Sequence, residues 1–277
     1  MNILVTLDCH YIKPLRVMLK SLFLNNPGET FDIYLLHASL TAQVLEDLNT
    51  FVDVHGSRLK PIAIAPDRFA DAPLSFHYTK EMYFRLVAPW LLPAGLERIL
   101  YLDPDILILN PVRTLYETGI DGYLYAAAYH DKPTITELNK IRLHPYAIDA
   151  YYNSGVLLMN LTRLQQEIRE EDIYRFIQEN RTKLVMPDQD IFNSLYAKRI
   201  KMLDERYYNY DARYYSYYKL TREGGFDMSR VIGQTVVLHF CGKKKPWKRR
   251  YSGVFLSLYR HYEKQAGVMD MSEPGAR

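Results

Sequence analysis

Two aspartates separated by one residue, Asp103 and Asp105, follow the apolar run Ile99-Leu100-Tyr101-Leu102. Carboxylates at that spacing can converge on one hard divalent cation while leaving coordination positions open for phosphate oxygens. An isolated Asp-x-Asp is also an ordinary solvated turn. A second one occurs at Asp188-Gln189-Asp190, where Pro187 equally suits the start of a helix. The first pair is favoured by its approach, because burying two like charges at the end of an apolar strand is costly without a compensating cation.

His239 closes a second apolar run, Val236-Val237-Leu238, and opens the loop Phe240-Cys241-Gly242-Lys243-Lys244-Lys245-Pro246-Trp247. Imidazole can complete the sphere of a manganese-like ion, which accepts nitrogen beside oxygen. The competing reading is a packed histidine at a strand end. The loop offers a glycine, several ammonium groups and an aromatic plate, a combination suited to a diphosphate.

The elements that must position these groups alternate between short apolar runs and stretches of helical period, the pattern of βαβ units around a mostly parallel sheet. Strands are expected at Asn2–Leu7, Phe31–His37, Leu59–Ala65, Arg98–Leu102 and Ile106–Leu109, and later at Tyr123–Tyr129, Gly155–Leu161 and Thr235–Phe240. Helices are expected over Tyr11–Asn25, from a Thr41 cap to Val54, over Thr79–Ala88 ending before Pro89, over Thr162–Gln178 and Asp188–Ala197, and in a C-terminal amphipathic segment to Lys264. The last dozen residues read as a frayed tail. Open α/β sheets bind ligands at the carboxyl ends of their strands, where Asp8, Asp103 and His239 are all expected.

The chain has 277 residues, nearly half of them apolar, and a formal net charge of +3. That length supports a sizeable single core, and so mild a charge argues against a nucleic-acid partner. Its two cysteines, Cys9 and Cys241, form neither a zinc spacing nor a disulfide framework. With no signal-peptide pattern and no apolar stretch long enough to span a bilayer, a cytoplasmic location is expected.

Five segments taken together carry a resemblance: Thr6-Leu7-Asp8-Cys9-His10-Tyr11, Tyr101-Leu102-Asp103-Pro104-Asp105, Tyr152-Asn153-Ser154-Gly155-Val156, Met186-Pro187-Asp188-Gln189-Asp190 and His239 to Trp247. In this order they resemble glycosyltransferase family 8, the group that includes lipopolysaccharide galactosyltransferases and glycogenin. The resemblance implies one GT-A type nucleotide-diphospho-sugar transferase domain over residues 1–250, with a short basic C-terminal helix and tail over 251–277. It implies a retaining transfer of glucose or galactose from a UDP-sugar to a glycan, lipid-linked or protein acceptor. Asp103, Asp105 and His239 would hold Mn²⁺, with Mg²⁺ as the second choice, in a donor site that includes Thr6 and Pro104. Asp8 and Tyr11 would meet the uracil, Gly242 and Lys245 would approach the diphosphate, and Arg85 would face the donor. Asn153, Asp188 and Gln189 would surround the transferred sugar, with Gln189 on its reacting face. His10 departs from the small polar residue common at that position, and Cys9 and Cys241 would lie near the nucleotide without a role.

Residues 243–262 interleave Lys243, Lys244, Lys245, Lys248, Arg249 and Arg250 with Trp247 and Tyr251. This segment fits either peripheral contact with an anionic inner membrane leaflet or a helix packed on the domain through Phe255 and Leu258. The tyrosine-crowded stretch Arg206–Tyr218 fits sugar stacking, a lid or a packing wall. Two other function classes share parts of the pattern. A metal-dependent nucleotidyltransferase or sugar-phosphate hydrolase uses the same carboxylates, and a non-catalytic glycan binder would use only the tyrosines and basic loop.

Overall fold

Runs of Ile, Leu and Val with both faces to be covered make β1 (Asn2–Thr6), β2 (Asp32–His37) and β4 (Arg98–Leu102), while β3 (Arg58–Ala63) is a more exposed edge strand. The chain continues through β5 (Ile106–Ile108), β6 (Tyr125–Tyr129), β7 (Tyr152–Asn160), β8 (Ile200–Leu203), β9 (Tyr210–Asp211) and β10 (Val237–His239). The computed structural model describes residues 1–269 apart from 66, 70, 71, 74–79, 130–132, 145, 147, 149 and 222–224, with backbone alone at 133–136 and 221.

Seven strands form the central sheet in the order β3-β2-β1-β4-β7-β6-β8. All its pairings are parallel except those of β7, which runs antiparallel to β4 and β6. Successive side chains point to opposite faces. Leu4, Tyr101 and Leu157 therefore join the core beneath the helices Glu81–Leu91, Leu161–Glu167, Glu170–Asn180 and Pro187–Tyr196. Ile3, Val5, Leu100 and Leu158 join the opposite core under Ile12–Leu24 and Ala42–Asp53. Helices on both faces explain why these strands read as near-continuous apolar runs.

Three features of this frame serve the site. β1 and β4 are parallel neighbours, so Asp8 and Asp103 follow them at one edge. β7 runs the other way, pairing Val156 with Leu102, which brings its N-terminal residues Asn153, Ser154 and Gly155 to that same edge. A second sheet, β5-β10-β9, covers the edge from beyond.

His239 belongs to that second sheet and not to the central one expected for it, because β10 pairs with β5 just after Asp105. The helix expected to stop before Pro89 continues to Leu91. Proline lacks only its own N–H, so the helix forgoes one bond near its end and closes with Leu92 N donating to Ala88 O at 3.0 Å. The start expected at Thr79 lies outside the described residues. The single helix expected over Thr162–Gln178 is two, interrupted where Ile168 and Arg169 are extended and where Glu170, Glu171 and Asp172 supply an acidic first turn for the second. The expected strand at Gly155–Leu161 begins earlier, at Tyr152. Neither β8 nor the helix Pro133–Arg142 was anticipated.

The C-terminal helix, Leu256–Gln265, packs on Ile12–Leu24. Phe255, Tyr259 and Tyr262 are buried there, and Asn25 donates to the Tyr262 hydroxyl at 2.8 Å. The tail from residue 270 lies outside the described residues.

Candidate active site

A cavity of about 360 Å³ opens at the carboxyl ends of β1 and β4. Thr6, Asp8 and Tyr11 enter it from the end of β1 and the turn that follows, Arg85 from the helix Glu81–Leu91, and Asp103, Pro104 and Asp105 from the link between β4 and β5. Asn153 comes from β7, Asp188 and Gln189 from the first turn of Pro187–Tyr196, and His239, Gly242 and Lys245 from β10 and its loop. Every residue to which the resemblance assigns a donor, metal or sugar role thus lines one cavity.

At its floor, ligand atoms of Asp103, Asp105 and His239 lie within 4.8 Å of one another. His239 Nε2 is 3.2 Å from Asp105 Oδ1 and 3.9 Å from Asp103 Oδ2. The other ring nitrogen, Nδ1, lies 2.8 Å from Asn209 Oδ1. Asp103 Oδ1 accepts from the Tyr101 hydroxyl at 2.5 Å and meets Arg85 Nη2 at 3.0 Å. The other oxygen of Asp105 is held by Lys245 Nζ, which also donates to Phe240 O at 2.8 Å. Gly155 borders the cluster. A Cβ there would stand 2.4 Å from His239 Cε1 and 2.6 Å from Asp103 Oδ2, so the space beside the three groups exists only because this residue has no side chain.

Burial opposes the charge of Asp105, but Lys245 and His239 beside it hold its carboxyl below the usual range. Burial likewise opposes the Lys245 ammonium, and Asp105 keeps it protonated well past the usual lysine range. Two carboxylates and one imidazole around a side-chain-free space fit a divalent cation of the manganese or magnesium kind. The hydrogen bond on Nδ1 leaves Nε2 as the atom that would ligate such a cation.

The side of the cavity formed by β7 and the helix Pro187–Tyr196 is built largely from amides. Asn153 Nδ2 donates to Gln189 Oε1 at 3.2 Å, and Ser154 N reaches the same oxygen at 3.3 Å. Asp188 accepts from the Ser154 hydroxyl at 2.9 Å and lies 3.4 Å from Arg85 Nε, and burial raises its pKa above the ordinary carboxylate value. Asp190 points elsewhere. Fully buried, it accepts from both terminal nitrogens of Arg142, from the Tyr151 hydroxyl at 2.6 Å, and from the backbone N–H groups of Val185 and Met186.

At the opposite end Asp8 caps the turn Cys9–Tyr11 by accepting from His10 N at 2.8 Å, and the His10 side chain is exposed. Burial pushes the Tyr11 hydroxyl up to about 12. The Trp247 ring meets Tyr11 edge-on at 5.7 Å and packs on Tyr259 behind it. Trp247 therefore supports a cavity residue and does not itself line the cavity. From its loop only Cys241, Gly242 and Lys245 line the cavity, while Lys243 and Lys244 are exposed.

Sequence reasoning missed the cavity roles of Arg213, Tyr214, Glu81 and Met82. Arg213 is gripped by buried Asp211 through Nε and Nη2, and a Cβ on Gly242, whose φ is +83°, would stand 2.8 Å from its Nη1. Both Arg213 and Tyr214 lie in the tyrosine-crowded stretch, whose composition drew attention without separating them from Tyr210 and Tyr218, which are core residues.

A mostly parallel sheet with an Asp-x-Asp and histidine cluster at its carboxyl edge is the arrangement expected of a GT-A glycosyltransferase. The chain belongs to glycosyl transferase family 8, which it matches over residues 2–250. It is 26% identical to a lipopolysaccharide 1,2-glucosyltransferase of Escherichia coli K12 over 90% of this chain and 73% of that protein. It is 25% identical to general stress protein A of Bacillus subtilis 168 over 95% of this chain and 92% of that one. The fold is that of the galactosyltransferase LgtC, solved with donor and acceptor sugar analogues, with a TM-score of 0.85 and 22% identity over 98% of each chain.

Proposed function

We propose that this glycosyltransferase moves glucose or galactose from a UDP-sugar, with retention of configuration, onto a glycan or glycolipid acceptor, and that it needs a divalent metal, Mn²⁺ or Mg²⁺. The observation that carries this reading is the convergence of Asp103, Asp105 and His239 beside Gly155. A cation held by these three groups would offset the negative charge that grows on the departing diphosphate. Lys245 adds a fixed positive charge at the same place. Asp8 hydrogen-bonds the uracil and Tyr11, braced by Trp247, stacks on it. Gly242 lets the diphosphate approach the backbone, and Arg85 orients Asp103 and Asp188 toward the donor.

On the sugar, Asp188 and Asn153 take hydroxyl groups and Gln189 faces the reacting carbon. A neutral amide is a poor nucleophile. Asp190 accepts bonds from Arg142, Tyr151 and two backbone N–H groups and is outside the cavity lining, which supports front-face attack by the acceptor hydroxyl without a covalent intermediate. A trapped glycosyl adduct on any residue of the chain would overturn that route.

Relatives named for lipopolysaccharide glucosyl and galactosyl transfer support a hexose donor and a glycolipid acceptor. No helix among the described residues is long and apolar enough to cross a membrane. We assign catalysis to residues 1–250, and to 243–262 together with the tail a peripheral contact with the anionic cytoplasmic leaflet, supported by exposed Lys243, Lys244, Lys248, Arg249 and Arg250.

The test is UDP release from UDP-glucose and from UDP-galactose, with Mn²⁺ or with chelator, beside Asp103→Asn. Release that requires both metal and Asp103 is expected. Absence of UDP binding under every condition would refute the reading.

A further inference from the structure

Asn209 lies outside the cavity lining and is 1% exposed, at the junction where the short helix Glu205–Tyr208 gives way to β9. Its amide touches both halves of the site. Oδ1 is 2.8 Å from His239 Nδ1, and Nδ2 donates to Asn153 Oδ1 at 2.8 Å.

The polarity of this chain of amides is fixed by one group that can only donate. Gly155 N–H points at Asn153 Oδ1 at 2.9 Å, so that atom is the carbonyl oxygen and the partner facing it from Asn209 is the NH₂. The Asn209 carbonyl must then face His239, which puts an imidazole hydrogen on Nδ1 and leaves Nε2, 3.2 Å from Asp105 Oδ1, as the nitrogen whose lone pair a bound metal would take. From the same anchor Asn153 presents its own NH₂ to Gln189 Oε1. Secondary-layer groups of this kind set the tautomer and ring orientation of a ligating histidine.

We propose that Asn209 is a positioning residue that fixes His239 as an Nε2 ligand and ties it, through Asn153, to the placement of Gln189 at the reacting face. The proposal rests on the reading of His239 as a metal ligand. It joins two functions in one side chain: the metal side needs only the Asn209 oxygen, and the sugar side needs only its nitrogen.

Two variants separate these roles. Asn209→Asp preserves volume and the acceptor for Nδ1–H but cannot donate to Asn153. Asn209→Ala removes both bonds. Mn²⁺ affinity, read from the EPR signal of the free ion, is expected to fall about tenfold or more in Asn209→Ala and to stay near that of the unaltered protein in Asn209→Asp. UDP release from the sugar nucleotide is expected to slow in Asn209→Asp by up to about 100-fold at little-changed KM, the result of a misplaced Asn153 and Gln189. Thermal melting of each variant reports its folding, and the isosteric Asp variant carries the test if the Ala variant melts early. Turnover in Asn209→Asp equal to that of the unaltered protein would overturn the tie to Gln189. Unchanged Mn²⁺ affinity in a folded Asn209→Ala would overturn the tie to the metal. Failure of the unaltered protein to bind Mn²⁺ would instead remove the metal reading itself, a result separable from either.

Discussion

Nε2 of His239 lies 3.2 Å from Oδ1 of Asp105, a closeness set by backbone pairing: His239 is opposite Ile106 across the antiparallel β5–β10 ladder, and Phe240 N donates to Asp105 O at 3.0 Å. The small sheet thus carries the histidine to an acidic pair that the large sheet positions. Its ladder also places Lys245 to neutralise the second oxygen of Asp105, so the two aspartates of the motif have different dependencies.

Asp105→Asn leaves the Lys245 ammonium buried without its partner. An unfolding free energy lower by about 3 kcal/mol or more is expected, together with loss of metal-dependent UDP binding. Asp103→Asn should lose the same binding with a smaller stability change, because its carboxylate is more exposed than that of Asp105 and its cationic partner Arg85 keeps Asp188 beside it. Denaturant unfolding beside calorimetric titration of UDP and Mn²⁺ distinguishes the two, and equal stability losses would contradict this division.

Gly155→Ala places a methyl group where His239 Cε1 and Asp103 Oδ2 leave it 2.4 and 2.6 Å. Mn²⁺ affinity should drop steeply while the sheet persists, since residue 155 is in a strand without a positive φ. Unchanged Mn²⁺ affinity in the folded variant would show that the space beside Gly155 is not used.

The two carboxylates of Asp188-Gln189-Asp190 should separate catalysis from stability. Asp188→Asn is expected to slow turnover about 10- to 100-fold, the worth of a charged hydrogen bond to substrate, with a modest change in melting. Asp190→Asn should behave oppositely, losing about 3 kcal/mol or more of stability because Arg142 and Tyr151 converge on its buried carboxylate. Steady-state kinetics and denaturant titration of both variants make the comparison.

Membrane contact and helix packing should likewise come apart. Phe255→Ala removes a side chain that is 1% exposed and is expected to cost about 3 kcal/mol of stability. Replacing Lys248, Arg249 and Arg250 by Gln should leave melting nearly unchanged but weaken sedimentation with vesicles containing anionic lipid. Equal sedimentation with neutral and anionic vesicles would remove the electrostatic attachment.

Much of the scaffold was legible because it rests on local pattern. Apolar runs such as Ile3-Leu4-Val5 and Ile99-Leu100-Tyr101-Leu102 can be buried on both faces only inside a helix-covered sheet, and Thr41 caps its helix by accepting from Val44 N at 3.4 Å as its residue type allows. Interruptions at Ile168 and the extension through Pro89 were not legible, because a helix's limits depend on what covers its ends as well as on its period.

The sequence by itself determined the alternation that builds the central sheet and the acidic pair that follows β4, since both are properties of neighbouring residues. It also supplied two Asp-x-Asp candidates and favoured the first for the apolar strand that leads into it. Only the tertiary structure showed where each carboxylate goes: Asp103 and Asp105 leave a strand and enter one cavity, whereas Asp188 and Asp190 sit on a helix, where about 200° of rotation between positions i and i+2 sends one into the cavity and the other to Arg142. The same holds for Asn209, an unremarked residue among tyrosines. Its role follows from where β9 and β10 pair, and pairing between distant segments is set by how the whole chain packs.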